Sequence, residues 1–108
     1  VTPQPAKLTL YKRWRLRQGV DRSTVVAFVR GRVIPHYARL DPQVQLELEQ
    51  LDESTLLAIQ RWPSRGRRNE AMSGDRFERW WQQYLPIVEE WDAMLEFDAE
   101  WEGTVLID

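Results

Sequence analysis

Few of the 108 side chains can do acid–base or nucleophilic work. There is no cysteine, which excludes disulfides, thiolate metal sites and a cysteine nucleophile. The single histidine, His36, rules out any two-histidine metal centre, and no metal or other cofactor is expected. His36 is the one side chain whose ordinary pKa lies near neutrality, which makes it the general-base candidate. It follows Pro35 at an irregularity in a helical pattern, and its competing role is packing. Lys12 is the second catalytic candidate. An ammonium on a dry strand face could stabilise an enolate or phenolate, or it could snorkel to the strand end or pair with a carboxylate.

Candidate substrate-binding residues surround these two. Trp62 and Gln60 share a parity with Ala58, and Lys12 shares one with Trp14, so all five are expected in one environment. Trp80, Trp81 and Tyr84 form an aromatic stripe that could stack on a flat ligand, although the same spacing suits a core-facing helix. Arg65, Arg67 and Arg68 with Asn69 could hold an anionic group or form a solvated basic face. The five glycines are scattered and make no phosphate-binding loop.

The elements that must position these residues are legible in the periodicity. Lys7 to Arg17 alternates, with Leu8, Leu10, Trp14 and Leu16 opposite Tyr11, Arg13, Arg15 and Arg17, as a strand with one dry side does. After the Gln18–Asp21 turn, where Asp21 or Ser23 can cap a helix, Val26, Val29, Val33, Tyr37 and Leu40 fall on one helical stripe. Pro35 predicts a kink near Val33. Val44–Leu51 and Leu56–Trp62 read as a hairpin about a four-residue connection. Pro63-Ser64 opens a helical region that pauses at Ser73-Gly74-Asp75, where Asp75 can cap a second piece with a bend at Pro86. Leu95 to Ile107 alternates again, with Phe97, Ala99 and Trp101 against Glu96, Asp98, Glu100 and Glu102, and Gly103 divides it.

The order βαββαβ predicts an α+β, ferredoxin-like domain with a four-stranded antiparallel sheet and two helices on one face. In that topology the first and last strands are neighbours. Arg13, Arg15 and Arg17 would then face the carboxylates of the last strand, each pair contributing roughly 0.2–1 kcal/mol. Leu57 and Ile59 have the opposite parity to Ala58, Gln60 and Trp62, so one set must leave the helix layer. A second copy stacked sheet on sheet would cover it, which predicts a homodimer with Val105–Ile107 crossing to the partner.

Length fits one domain over 7–108 behind a disordered lead-in at 1–6. A net charge of −2 argues against nucleic acid as a partner. The apolar runs fall far short of the ~20 residues that span a bilayer, so a cytoplasmic protein without membrane partners is expected.

The stretch Gln60-Arg61-Trp62-Pro63-Ser64-Arg65, then Met72-Ser73-Gly74-Asp75-Arg76-Phe77 and Leu85-Pro86-Ile87-Val88, resembles the antibiotic-biosynthesis-monooxygenase superfamily over about residues 7 to 108. The resemblance implies a dimeric α+β barrel with a pocket between sheet and helices in each subunit. Quinone-forming, cofactor-independent members are similar at Trp62 but carry an asparagine where this chain has Ala58. Haem-degrading members use an Asn–Trp–His set; here Lys12 stands near the asparagine position and the second helical region has no histidine. The implied function is a cofactor-independent monooxygenase or isomerase acting on a hydrophobic, aromatic or polyketide-like small molecule. The alternative is a non-catalytic small-molecule-binding or structural dimer of the same fold.

Overall fold

A computed structural model describes residues 5–108; the first four residues of the expected lead-in lie outside the described residues. The alternation at the start of the chain builds β1 (Leu8–Leu16), which turns at Gly19 with φ +82°, a backbone that glycine adopts without a Cβ clash. Asp21 then caps α1 (Arg22–Phe28), its carboxylate accepting from the Ser23 amide at 3.1 Å. The kink expected near Val33 is a π turn over Val29–Val33, leading directly into α2 (Ile34–Leu40). Pro35 has no amide to offer the preceding turn, and the wider turn accommodates it. Val25, Val29, Val33, His36 and Leu40 are buried, and Val26 and Tyr37 of the expected stripe are half-buried, Tyr37 packing against both core clusters.

The hairpin β2 (Gln45–Gln50) and β3 (Thr55–Trp62) closes on Asp52, whose carboxylate accepts from the Ser54 amide at 2.9 Å. Ser64 caps α3 (Arg65–Ala71) through the Arg67 amide at 3.0 Å. A break at Met72-Ser73 and a left-handed Gly74 (φ +83°) re-aim the chain into α4 (Gly74–Met94). Asp75 is not the cap; it sits in the first turn, where its charge complements the helix dipole. Pro86 lies inside α4, which runs on to Met94.

The last strand, β4 (Leu95–Thr104), continues through Gly103, and the Val105 amide still bonds the Lys7 carbonyl at 2.9 Å. Sheet order is β2-β3-β1-β4 with every neighbouring pair antiparallel, the ferredoxin-like arrangement. The strict alternation expected along β4 does not hold. Arg13 pairs with Ala99 but Trp14 pairs with Phe97, so Asp98 is the extra residue of a β-bulge. Phe97 therefore joins the helix face with Glu100 and Glu102, while Ala99 and Trp101 face outward. The expected carboxylate row is split accordingly. Asp98 alone accepts from both Arg13 (2.5 Å) and Arg15 (2.9 Å), Glu102 goes to Arg65, and Arg17 bonds the Asp92 carbonyl instead.

Two apolar clusters fill the layer between sheet and helices. One joins Val25, Val29 and Val33 to Leu56, Ile87 and Leu95; the other packs Leu8 and Trp62 against Leu40 and Trp80. Leu57 and Ile59 lie on the opposite sheet face with Tyr11, which stacks on the exposed Trp101 at 5.7 Å. Among the described residues no helix is long and apolar enough to cross a membrane.

Candidate functional site

The two clusters do not meet everywhere. Between them lies a cavity of about 390 Å³, floored by β1 and β3 and roofed by α2 and α4. The register places Lys12 opposite Ala58 and Leu10 opposite Gln60, so a one-carbon side chain sits in mid-floor and leaves the space open. The walls are aromatic. Trp80 and Tyr84 stack with centroids 4.9 Å apart, and Trp14 meets Trp91 edge-on at 5.3 Å. A slot of this size and lining suits a flat, hydrophobic small molecule.

Of the seven residues expected at a site, Lys12, Gln60, Trp14, Tyr84 and Trp80 line this cavity. Lys12 is at its rim, half exposed and 3.9 Å from Glu100, which is the carboxylate-paired alternative. Trp62 and His36 are not among the lining residues. Trp62 is 1% exposed on the same sheet face, packed against Leu8, Leu40 and Trp80, and its Nε1 donates to Gln60 Oε1 at 2.5 Å. His36 is buried behind the aromatic wall. Its ring stacks on both Trp80 (4.6 Å) and Tyr84 (5.3 Å), and its Nε2 lies 3.0 Å from the Trp80 carbonyl. The Trp80 indole in turn donates to the His36 carbonyl at 2.7 Å. That reciprocal clasp ties α2 to α4 and leaves the imidazole edge-locked in the core.

Two further lining residues bear on the chemistry. Tyr37 belonged to the expected helical stripe, and it lines the cavity where His36 does not. Arg68 was one of several basic residues on α3, and only the fold distinguishes it from its neighbours. The Tyr37 hydroxyl lies beside the Gln60 amide, the Tyr84 hydroxyl and the Arg68 charge. Burial pushes the Tyr37 phenol above its ordinary range despite those three opposing influences. Burial also raises Tyr84 far above its range, reinforced by Tyr37 and by the charge of Asp92. Both phenols are therefore neutral donors at any working pH and neither is a base. Among the described residues no three His, Asp or Glu side chains converge as a metal site would need.

No protein-family model matches the chain, and no curated protein matches it in sequence. Solved structures match in shape. A mutant form of SnoaB, a cofactor-independent oxygenase from Streptomyces nogalater, superposes with a TM-score of 0.61 at 16% identity, covering 95% of this chain and 96% of that one. A candidate antibiotic biosynthesis monooxygenase from Chloroflexus aurantiacus gives 0.61 at 12% identity with the same coverage. A protein of unknown function from Nitrosomonas europaea gives 0.64 at 12% identity over 98% of this chain and 95% of its own. With these likenesses spanning nearly the whole chain, and with the sheet order derived above, the protein has the ferredoxin-like fold of the antibiotic-biosynthesis-monooxygenase type.

Proposed function

We propose that the cavity binds a flat aromatic or polyketide-like small molecule and that the protein oxygenates it without a cofactor. The observation that carries this is the open, aromatic-walled space of about 390 Å³ with Gln60, Tyr37, Tyr84 and Lys12 converging on it. A domain of this size has little core to spare, so an unfilled slot lined by seven aromatic side chains is a cost that ligand binding offsets. In this reading Trp14, Trp80 and Tyr84 hold the ring system, Gln60 contacts a ring oxygen, and Lys12 guards the mouth.

The chemistry asked of the protein is modest. A ring methylene beside a carbonyl loses its proton to solvent and becomes an enolate. The carbanion reduces dioxygen by one electron, the radical pair collapses to a hydroperoxide, and loss of water leaves a second carbonyl. One methylene and one dioxygen give one carbonyl and one water. The protein's part is to favour the anion electrostatically and to exclude bulk water from the reacting carbon. Return of a proton at another carbon of the same enolate would make the reaction an isomerisation.

A second reading, a binding module without turnover, is favoured by one observation: His36, the single histidine, is enclosed in the core. Screening quinones and phenolic polyketides by thermal shift, then following oxygen uptake with a hydroxylated anthrone, separates the readings. A ligand at about a hundred times its Kd stabilises by about 2.7 kcal/mol and raises Tm visibly. Shift with oxygen uptake supports the enzyme, shift without uptake supports the binding module, and no shift across the series removes both.

We also propose a homodimer. The sheet face bearing Leu57, Tyr11 and Trp101 has no helix over it, and Trp101, Leu106 and Ile107 are 45%, 92% and 94% exposed. A partner's equivalent face would cover this surface, with residues 105–107 extending toward it. A monomeric mass at micromolar concentration defeats this.

A further inference from the structure

Four arginines gather near one end of the cavity, and three of them are already engaged. Arg67 holds the buried Asp41 through bonds of 2.7 and 3.2 Å. Arg65 reaches Glu102 at 2.5 Å. Arg76 donates to the carbonyls of Arg39 and Leu40, both at 2.8 Å. Arg68 differs. It lines the cavity, its Nε is sealed from water with no partner, and among the described residues it forms no ion pair. Glu102, already held by Arg65, feels Arg68 only weakly through space. A half-buried guanidinium without a counter-charge is costly, and an anionic occupant would relieve that cost.

Gln60 points to the same chemistry by a different route. An indole N–H can only donate, so the Trp62 contact at 2.5 Å consumes the amide oxygen of Gln60 and fixes which way the amide faces. What remains for the cavity is the Nε2 group, which can only donate. Tyr37 adds a hydroxyl beside it. Asp92, the carboxylate that acts on Tyr84, lies toward the other end, where Trp91 packs on Trp14. The cavity is therefore polarised along its length: Arg68, the Gln60 amide and the Tyr37 hydroxyl gather at one end, Asp92 lies toward the other beside the unpartnered neutral Trp14 Nε1, and Lys12 stands at the rim between them.

We propose that this end is an oxyanion subsite: Arg68 and the Gln60 amide bind an ionised enol or phenol oxygen of a flat aromatic ligand, and Trp62 is a positioning residue that sets the amide's polarity without touching the ligand. This rests on the small-molecule reading of the cavity and names the ionisation state of its ligand. It also answers why the pocket needs no base of its own. A site that binds the anion preferentially shifts the ligand's ionisation toward it, and the proton leaves to solvent.

The test uses the full chain and two probes of nearly the same shape: the hydroxynaphthoquinone lawsone, ionised at neutral pH, and its uncharged methyl ether. Dissociation constants come from quenching of tryptophan fluorescence. The wild type is expected to favour lawsone by about tenfold or more, as charge-assisted hydrogen bonds do. Arg68→Met brings that ratio toward one, Gln60→Glu reverses it, and Trp62→Phe lowers it because the freed amide can turn its oxygen to the cavity. A ratio is insensitive to a general loosening of the pocket, so a merely structural Trp62 would leave it unchanged. If Trp62→Phe does not fold, Gln60→Met carries the same test, since it removes the amide and leaves the indole in place. Equal affinity for both probes, or an Arg68→Met ratio equal to that of the wild type, overturns the subsite while the cavity reading stands. Binding of neither probe, with no Tm shift from any other flat aromatic, overturns both.

Discussion

In a His36→Ala variant the imidazole is removed from its place against Trp80 and Tyr84, and three contacts go at once. The hydrogen bond to the Trp80 carbonyl contributes about 0.5–1.5 kcal/mol. Each of the two ring stacks adds about 0.5–1.5 kcal/mol beyond area burial. Together they make a loss of roughly 2–4 kcal/mol, against a total stability of about 5–15 kcal/mol for a domain of this kind. At about 4–8 °C per kcal/mol, Tm falls by roughly 8–30 °C. His36→Phe keeps the stacks and loses only the hydrogen bond, so its cost is about 1 kcal/mol. Urea and thermal denaturation of the three proteins measure these steps. In His36→Phe, where the wall is retained, ligand affinity and turnover stay within about threefold of wild type, a difference under 1 kcal/mol. The refuting result is the reverse pattern: His36→Phe with an unchanged Tm and abolished turnover would return the imidazole to the role of general base.

Ala58→Phe inserts a ring into the middle of the cavity floor; because the space is empty it costs less than the usual 1–3 kcal/mol of overpacking, yet ligand-induced Tm shifts disappear. Trp101→Asp places a charge on the open sheet face, and sedimentation is expected to show a monomer where the wild type is a dimer. Asp41 is buried, which alone raises its pKa, but hydrogen bonds from Arg67 and the Gln43 amide and the charges of Arg67 and Arg76 hold it below the ordinary carboxylate range. A depressed carboxylate stabilises the fold above its unfolded pKa of about 3.9 and loses that contribution as pH falls through the folded value. The stability gap between wild type and Asp41→Asn is therefore widest near neutral pH and narrows below about pH 4, which urea titrations across that range will read.

Much of the architecture is legible in the chain because the strands announce themselves by alternation and the hairpin by its polar connection. One error of phase has a local cause. The bulge at Asp98 inserts a residue into β4 and exchanges the faces of Phe97 and its neighbours. A single inserted residue leaves composition and average periodicity intact while reversing which side chains are inside, so it is invisible to pattern counting. In the first helical region the buried set and the expected stripe both advance by three- and four-residue steps, so spacing does not choose between His36 and Tyr37. Lys12, Trp14, Gln60, Trp80 and Tyr84 were recoverable because they lie on segments whose phase is unbroken.

Arg68 reads with its neighbours as a possible anion holder, and it could not be separated from them for a different reason. Sequence shows four arginines between Arg65 and Arg76 as equivalent members of a basic stretch, and their difference lies in partners that are distant along the chain. Asp41 and Glu102 come from the end of α2 and from β4, and each takes one arginine out of play. The Arg39 and Leu40 carbonyls take a third. What singles out Arg68 is the partner it lacks, a property of the whole fold. The same holds for Gln60, whose donor face is set by the indole of Trp62 beside it. A charged group left over after every nearby carboxylate is assigned, facing a cavity that the core fails to fill, is the pattern that separates a binding site from a packing defect in this fold. Trp62 belongs to that pattern even though no ligand atom need reach it.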